Sequence, residues 1–247
     1  MRIAIKAAAS LAAAFLFTAL PLPARPTALP SSASQTPTAR GSFHIHTNRS
    51  DGSGSPDDAA AAAARSGLNF IVLTDHGDGT RTPDAPQYRA GVLVIDAVEL
   101  STQAGHYIAV GLPQAPYPLR GDARDVVADV RRLGGVGIVA HPDSAKPGLR
   151  WHDWDAEFDG MEWLNADTEW RDESRLQLAR ALARYPFRPA ETLASLLDRP
   201  DTLARWDALT QRRPVAGLAG ADAHARAGWM EDDVHGYRRG WFLRIPS

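Results

Sequence analysis

The sequence predicts an α/β fold in which a barrel of about seven strands is surrounded by helices. Two observations predict this fold: short apolar segments alternate with helical segments, and seven strand candidates fall within residues 41–247. Strands that alternate with helices are typical of a parallel sheet, and this many strands in this length favour a closed barrel over an open sheet. The sequence shows no internal repeat.

The strand candidates are five to seven residues long and rich in apolar or β-branched residues, as buried strands of a parallel sheet are. In chain order they are SFHIH (42–46), NFIVLT (69–74), VLVIDAV (92–98), HYIAVG (106–111), VGIVA (136–140), GMEWL (160–164) and VAGLAG (215–220). A last strand, GWFLRI (240–245), is predicted near the C-terminus without a helix after it.

Helices are predicted between these strands. The first covers SPDDAAAAAARSG, where Ser55 is the N-cap, Pro56 takes the first helical position and Gly67 ends the helix. A second covers DARDVVADVRRLGG (122–135), and several more lie between Arg171 and Thr210.

Residues 1–24 have the organisation of a secretory signal peptide. Arg2 and Lys6 precede an apolar run, and Ala24 is a suitable last residue before cleavage. The run is interrupted by a threonine and a proline and is shorter than the roughly 20 apolar residues of a membrane span. An uncleaved anchor is the alternative. We therefore expect an exported protein, periplasmic or secreted, with no stable membrane span after cleavage.

The next segment, residues 25–40, is rich in proline, serine and threonine and is predicted to be a flexible linker. Residues 41–247 then form one domain. Its oligomeric state does not follow from the sequence.

Composition excludes several functions. The formal net charge of -2 offers no basic surface for nucleic acid. The chain has no cysteine, so it has neither disulfides nor a lipoprotein anchor. Any metal ion would be bound by nitrogen and oxygen atoms alone.

Most of the chain's histidines adjoin strand ends, and several lie beside carboxylates. In parallel α/β barrels the C-terminal ends of the strands converge on the face that carries the active site. One residue, His106, is an exception because it opens its strand. The candidate residues of this face are His44, His46, Asp75, His76, Glu99, His106, His141, Asp222 and His224.

The spacing of these residues indicates a metal cluster. Strand residues two apart face the same side, so His44 and His46 can share a pocket, and Asp222 and His224 repeat that spacing. Imidazoles together with carboxylates suit zinc, manganese or iron, and a carboxylate such as Glu99 can bridge two ions.

The ordered motifs HIHTNRSDG, TDH, VEL, a following histidine, AHP and GADAH resemble those of the polymerase and histidinol phosphatase (PHP) family. The resemblance extends from Gly41 to about Gly228. Exported family members with the segment HIHTNRSDGSGS are especially similar to a branch that includes carbaryl-type ester and carbamate hydrolases. The resemblance implies a distorted (β/α)7 barrel that holds two or three divalent ions.

The resemblance also implies how the ligands are divided among the ions. One ion would take His44, His46, Glu99 and Asp222. A second would share Glu99 and take His106 and His141, and a third would take Asp51, His76 and His224. A surface or outer-shell position is the alternative for His106. Asp75 would lie outside the ligand set and orient one of the histidine ligands.

The resemblance favours a phosphoesterase that cleaves small phosphate mono- or diesters with a metal-bridging hydroxide and no protein nucleophile. Hydrolysis of carboxylic or carbamate esters is one alternative, and a non-catalytic metal-binding domain is another. Predicted substrate contacts are Arg49 and Lys146, which suit phosphate oxygens, and Asn165 at the end of the sixth strand. For the two cations, a solvated surface position is the alternative.

Overall fold

The computed structural model describes residues 38–171, 173–197 and 200–225, and its strands and helices belong to one compact unit that begins at Ala39. Seven strands close into a barrel, which confirms the predicted fold class. The signal peptide, the linker up to residue 37 and the predicted strand 240–245 lie outside the described residues, so these predictions stay predictions.

The barrel strands match the seven predicted segments. They are β1 (Gly41–Ile45), β2 (Phe70–Leu73), β5 (Val92–Thr102), β6 (Gly105–Val110), β7 (Val136–Val139), β8 (Gly160–Asn165) and β9 (Ala216–Ala223). Each pairs with the next in this order, and β9 pairs with β1. Two short strands outside the ring, β3 (His76–Gly77) and β4 (Gln87–Arg89), also pair with β5.

The barrel is distorted at β6, which runs antiparallel to both of its neighbours. A tight turn after Thr102 joins it to β5 without an intervening helix. All other neighbouring barrel strands are parallel. The first residues of β6 therefore lie at the end of the barrel where the other six strands finish.

The helices are α1 (Pro56–Arg65), α2 (Ala123–Arg132), α3 (Ala166–Arg171), α4 (Arg175–Arg184), α5 (Pro189–Ala194) and α6 (Pro200–Thr210). At the start of α1, the Ser55 hydroxyl accepts from the Asp58 N–H and the Asp58 carboxylate accepts from the Ser55 N–H. Gly67 follows the C-terminus with a φ of 72°, a conformation that glycine adopts readily. The predicted start and end of this helix are confirmed.

Apolar packing holds the barrel between its helices. Ile71 and Leu73 of β2 pack with Ala60 and Ala63 of α1, whereas Val72 between them packs in a separate cluster with Ile108. The alternation along β2 places successive side chains on opposite faces of the barrel wall. In the part of the chain that the structure describes, no helix is long and apolar enough to span a membrane.

Candidate metal centre

The nine predicted ligands form one cluster at the end of the barrel where the parallel strands finish. Their ligand atoms fall into four overlapping groups, within each of which they lie no more than 4.8 Å apart. The groups are His46–Asp51–His76–His224, His44–Glu99–His141, His44–His46–Asp222 and His76–Glu99–His106. Residues separated by as many as 180 positions are thus brought together by barrel closure.

The backbone is strained at three of these positions. His44, His141 and Asp222 have φ values of 66°, 26° and 47°, in the left-handed region that non-glycine residues rarely adopt. The register of β1 shifts at His44 against both neighbouring strands. His44 and His46 share a pocket through this irregularity rather than through regular strand alternation, and strain of this kind concentrates at functional sites.

Four side-chain atoms surround a common point deep in the barrel. They are His44 Nε2, His46 Nε2, Glu99 Oε2 and Asp222 Oδ1, and five of the six distances between them are 3.1–3.3 Å. The centre of a tetrahedron with such edges lies about 2.0 Å from each corner, which is about the length of a Zn–N or Zn–O bond. The arrangement fits a tetrahedral metal ion.

The orientation of His44 supports this fit. Its Nδ1 lies 2.7 Å from a Glu162 oxygen, so the ring proton belongs on Nδ1 when a metal ion is bound. The Nε2 lone pair then faces His46 Nε2 at 3.1 Å. Two imidazole lone pairs at this distance repel each other unless a cation or a proton lies between them.

Glu99 is the centre of the cluster. One oxygen, Oε1, lies 2.8 Å from both His106 Nδ1 and His141 Nε2. The other, Oε2, faces the tetrahedral group and also lies 3.3 Å from His76 Nδ1. A carboxylate that is 1% exposed and faces ligands on both sides is suited to bridging two ions.

His106 reaches Glu99 because β6 runs antiparallel. It opens its strand, yet it is paired opposite Ser101 near the C-terminal end of β5. The position that looked exceptional in the sequence therefore lies on the same face as the other candidates. Its burial and its contact with Glu99 argue against a surface position, and its role as a ligand stays a prediction.

Asp51 forms a third group nearer to solvent, with a side chain that is 43% exposed. Its Oδ2 lies 3.2 Å from His224 Nε2 and 3.7 Å from His76 Nε2, and its Oδ1 lies 3.3 Å from His46 Nδ1. His46 thus presents one ring nitrogen to this group and the other to the tetrahedral group. His46 therefore lies beside Asp51, His76 and His224, the ligands that the family resemblance implies for a third ion.

Electrostatics in the cluster favour charged side chains in the absence of a metal ion. Burial lowers the pKa of His44, but Asp222 and Glu162 outweigh it and raise that pKa well above the usual value. Burial likewise opposes a charge on His46, yet hydrogen bonds to Asp222 and Glu99 raise its pKa to about 9. Protons therefore compete with metal ions for these ring nitrogens.

The carboxylates show the opposite shift. Burial raises the pKa of Glu99, but the charge of His44 and the hydrogen bond from His106 lower it well below its ordinary range. Burial also raises the pKa of Asp222, and His44 and His46 lower it by more. Both carboxylates are consequently negative at neutral pH, as metal ligands must be.

Asp75 contacts different partners from those expected. Its two oxygens accept hydrogen bonds from the Thr47 N–H and hydroxyl, both at 2.7 Å, and from the Ser50 hydroxyl at 2.7 Å. These hydrogen bonds hold the loop after β1 rather than a histidine ring. Asp75 therefore supports the ligands through the loop that carries His46 and Asp51.

The predicted substrate contacts have different surroundings. Arg49 lies 2.5 Å from Asp84 and 3.4 Å from Asp96, and it lines a cavity of about 130 Å³ beside His76. Lys146 lines a larger cavity of about 330 Å³ beside His141 and Asp222. Both cations therefore border cavities next to the cluster, and their roles as substrate contacts stay predictions.

Asn165 must be reassigned from its predicted substrate role. It is 1% exposed, its Nδ2 donates to Glu162 at 2.8 Å, and its Oδ1 accepts from the Thr168 N–H at 3.0 Å. The latter bond satisfies a free N–H group at the start of α3. Because its amide is bonded at both ends, Asn165 links Glu162 to the start of α3 and does not face the cavity.

The sequence motifs do not identify Glu162 as part of the site. It lies within the predicted strand GMEWL and is fully buried beside His44. A carboxylate inside an otherwise apolar strand is the signal that could have identified it, because a buried charge requires partners. His152, which lies outside the six motifs, is exposed.

No family model and no curated protein matches the sequence. Among solved structures, a two-domain protein from Bacteroides vulgatus named for a PHP-like metal-dependent phosphoesterase matches 75% of this chain at 19% identity and a TM-score of 0.48. The match covers 52% of that protein, so the chain spans about half of its length.

Two further structures are similar. A protein from Bifidobacterium adolescentis named for metal-dependent phosphoesterase activity shares 15% identity over 76% of this chain and 89% of its own, with a TM-score of 0.47. An amidohydrolase from Chromobacterium violaceum shares 14% identity over 75% of this chain and 88% of its own, with a TM-score of 0.46. The fold assignment itself rests on the strand order and barrel closure.

Proposed function

We propose that the chain is a metal-dependent phosphoesterase of the PHP type. The single observation that carries this proposal is the cluster around Glu99, in which a buried carboxylate lies between five histidine rings and beside Asp222. Nitrogen and oxygen donors in this arrangement suit zinc, manganese or iron. When bound, such ions lower the pKa of a coordinated water and stabilise negative charge on the ester that is attacked.

The chain's own residues would bind and orient the ions. His44, His46 and Asp222 would hold an ion at the buried position, and Glu99 Oε1 would face a second ion together with His106 and His141. Asp75 fixes the loop that carries His46 and Asp51 through its hydrogen bonds to Thr47 and Ser50. The sequence has no cysteine nucleophile, and a hydrolysis that uses water needs no covalent protein intermediate.

The cavity next to His141 and Asp222 supports an anionic substrate of modest size. It lies between the loop after β7 and α3, and its volume of about 330 Å³ suits a small ligand. Lys146 and Arg171 bring positive charge to its wall, and Trp170 adds an aromatic surface. Asp167 accepts from both Trp170 and Arg171, which fixes this part of the wall.

A substrate panel tests the reaction class. We expect the protein, loaded separately with Mn²⁺, Zn²⁺ or Fe²⁺, to hydrolyse p-nitrophenyl phosphate or bis(p-nitrophenyl) phosphate but not p-nitrophenyl acetate, because the bound ions and Lys146 beside them favour an anionic ester. Release of p-nitrophenol is the readout, and chelator-treated protein is the control. Preferential acetate cleavage would replace the proposal with a carboxylic-ester hydrolase. Bound metal without any hydrolysis would favour a metal-binding domain.

The number of ions can be tested at Asp51. We expect three ions in the wild type and two in Asp51→Asn, because an amide is a weaker ligand and only the group around Asp51 depends on it. Metal-to-protein ratios from mass spectrometry measure this. Asp57→Asn, which changes an exposed carboxylate bonded to Arg89, is the control. Two ions in both the wild type and Asp51→Asn would mean that the third site does not form.

A further inference from the structure

Glu162 connects two candidate ligands on different strands. Its Oε1 lies 2.7 Å from His44 Nδ1, and its Oε2 accepts from the His141 backbone N–H at 2.7 Å and from Asn165 Nδ2 at 2.8 Å. Its side chain is 0% exposed. This fully buried carboxylate therefore accepts hydrogen bonds from three N–H groups in three parts of the chain.

A glycine, Gly220, lies directly against the Glu162 carboxylate. A Cβ atom on Gly220 would lie 1.8 Å from Glu162 Oε1, far inside contact distance. Gly220 belongs to β9 and is paired with Phe43, the residue before His44. The space that the Glu162 carboxylate occupies against His44 thus depends on the absence of a side chain at position 220.

We infer that Glu162 is a positioning residue that fixes the tautomer and orientation of His44. By accepting the Nδ1 proton, it keeps the Nε2 lone pair directed at Glu99 Oε2 and Asp222 Oδ1, which lie 3.3 Å away. Its second oxygen holds the backbone of His141, whose φ of 26° is unfavourable without such support. This inference rests on the proposed metal centre.

The hydrogen-bond inventory explains why a carboxylate is required. Three N–H donors meet two oxygens, and both oxygens of an ionised carboxyl group act only as acceptors. In Glu162→Gln, the side chain has one oxygen and one NH₂ group. If the oxygen stays with His141 and Asn165, the NH₂ group faces His44 Nδ1. His44 can then pair with it only by moving its proton to Nε2, the atom that would bind the ion.

The opposite amide orientation also fails. The oxygen of Gln would then accept from His44, but its NH₂ group would face two further donors from His141 and Asn165. While His44 keeps its proton on Nδ1, either orientation therefore places N–H donors against each other inside the protein. The substitution therefore preserves volume and shape while it disrupts the tautomer of His44 or the backbone of His141.

The test compares Zn²⁺ affinity of wild type, Glu162→Gln and Asn165→Ala by competition with a chromophoric chelator. We expect Glu162→Gln to bind Zn²⁺ about 10–100-fold more weakly, the usual cost of removing an outer-shell partner of a ligand. Asn165→Ala removes another partner of Glu162 but leaves the contact with His44. It is expected to lower the melting temperature while Zn²⁺ affinity changes by less than about threefold.

Nitrogen NMR of histidine-labelled, Zn²⁺-loaded protein provides a readout that a purely structural role would not change. In the wild type, His44 should show a protonated Nδ1, and in Glu162→Gln this signal should be lost or shifted. An unchanged signal together with unchanged affinity would overturn the inference. Equal losses of affinity in Glu162→Gln and Asn165→Ala would also overturn it, because Glu162 would then act only as a structural contact.

Gly220→Ala tests the same contact if Glu162→Gln does not fold. The added methyl group should displace Oε1 from His44 while the carboxylate remains, so Zn²⁺ affinity should fall although no ligand has changed. Circular dichroism checks that the barrel is retained. If the wild type itself binds no Zn²⁺, Mn²⁺ or Fe²⁺, the proposed function fails. If the wild type binds metal and both variants bind it equally well, only the role of Glu162 fails.

Discussion

Replacing His44 or Asp222 with alanine is expected to remove bound metal and hydrolytic activity while the barrel stays folded. Both side chains contribute to the tetrahedral group, in which their ligand atoms lie 3.3 Å apart. Without either one, the buried position has three protein donors instead of four. The loss of activity should exceed the about 10–100-fold cost of changing an outer-shell residue.

The two variants should differ in stability. His44→Ala leaves the buried Glu162 carboxylate without one of its three partners, which costs roughly 1–3 kcal/mol. The Asp222 carboxylate contacts ring nitrogens of His44, His46 and His224, which all belong to the cluster. Asp222→Asn is the most conservative variant, since asparagine tolerates the left-handed φ of 47° at this position.

Metal content by mass spectrometry and hydrolysis of p-nitrophenyl phosphate measure these effects, and circular dichroism reports the fold. His152→Ala is the matched control because this histidine is exposed and outside the cluster. Unchanged metal stoichiometry in both His44→Ala and Asp222→Ala would rule out the tetrahedral group as a metal site.

Glu99→Gln is expected to remove every ion that depends on the bridging carboxylate. The two oxygens of Glu99 lie within 3.3 Å of ring nitrogens of five histidines. An amide replaces one of these oxygens with an NH₂ group, which cannot bind a cation and which repels one side of the cluster. At most the ion near Asp51 should remain, and phosphate-ester hydrolysis should fall to the level of chelator-treated protein.

The control for Glu99→Gln is Glu157→Gln, which makes the same chemical change at an exposed carboxylate bonded to Arg131. Metal-to-protein ratios again provide the measurement. If the Glu99→Gln protein keeps its full metal content, this carboxylate does not bridge two ions. The ions would then have to be held by the histidines and Asp222 alone.

Much of the fold could be predicted because its signals are local. The capping box at Ser55, the glycine that ends α1 and the apolar strand segments each depend on a few neighbouring residues. All seven predicted barrel strands are present, with ends that differ by no more than four residues from those expected. The histidines and carboxylates at strand ends were likewise visible because barrel topology directs strand ends to one face.

Other features of the site depend on neighbours that are distant in sequence. The direction of β6, which brings His106 to Glu99, follows from the hairpin with β5 and was not expected from a parallel barrel. Asp75 holds the loop at Thr47 rather than a histidine, and Asn165 is buried rather than open to substrate. Each of these outcomes is set by which strands lie side by side.

By itself the sequence determined the chemistry of the site: nitrogen and oxygen donors without sulfur, carried on a framework of alternating strands and helices. Only the tertiary structure decided which ring nitrogen faces which carboxylate, and that Glu162 supports His44 in the space left by Gly220. The physical reason is that residue type and local periodicity follow from neighbouring residues, whereas tautomer, bridging and burial depend on contacts made when the barrel closes.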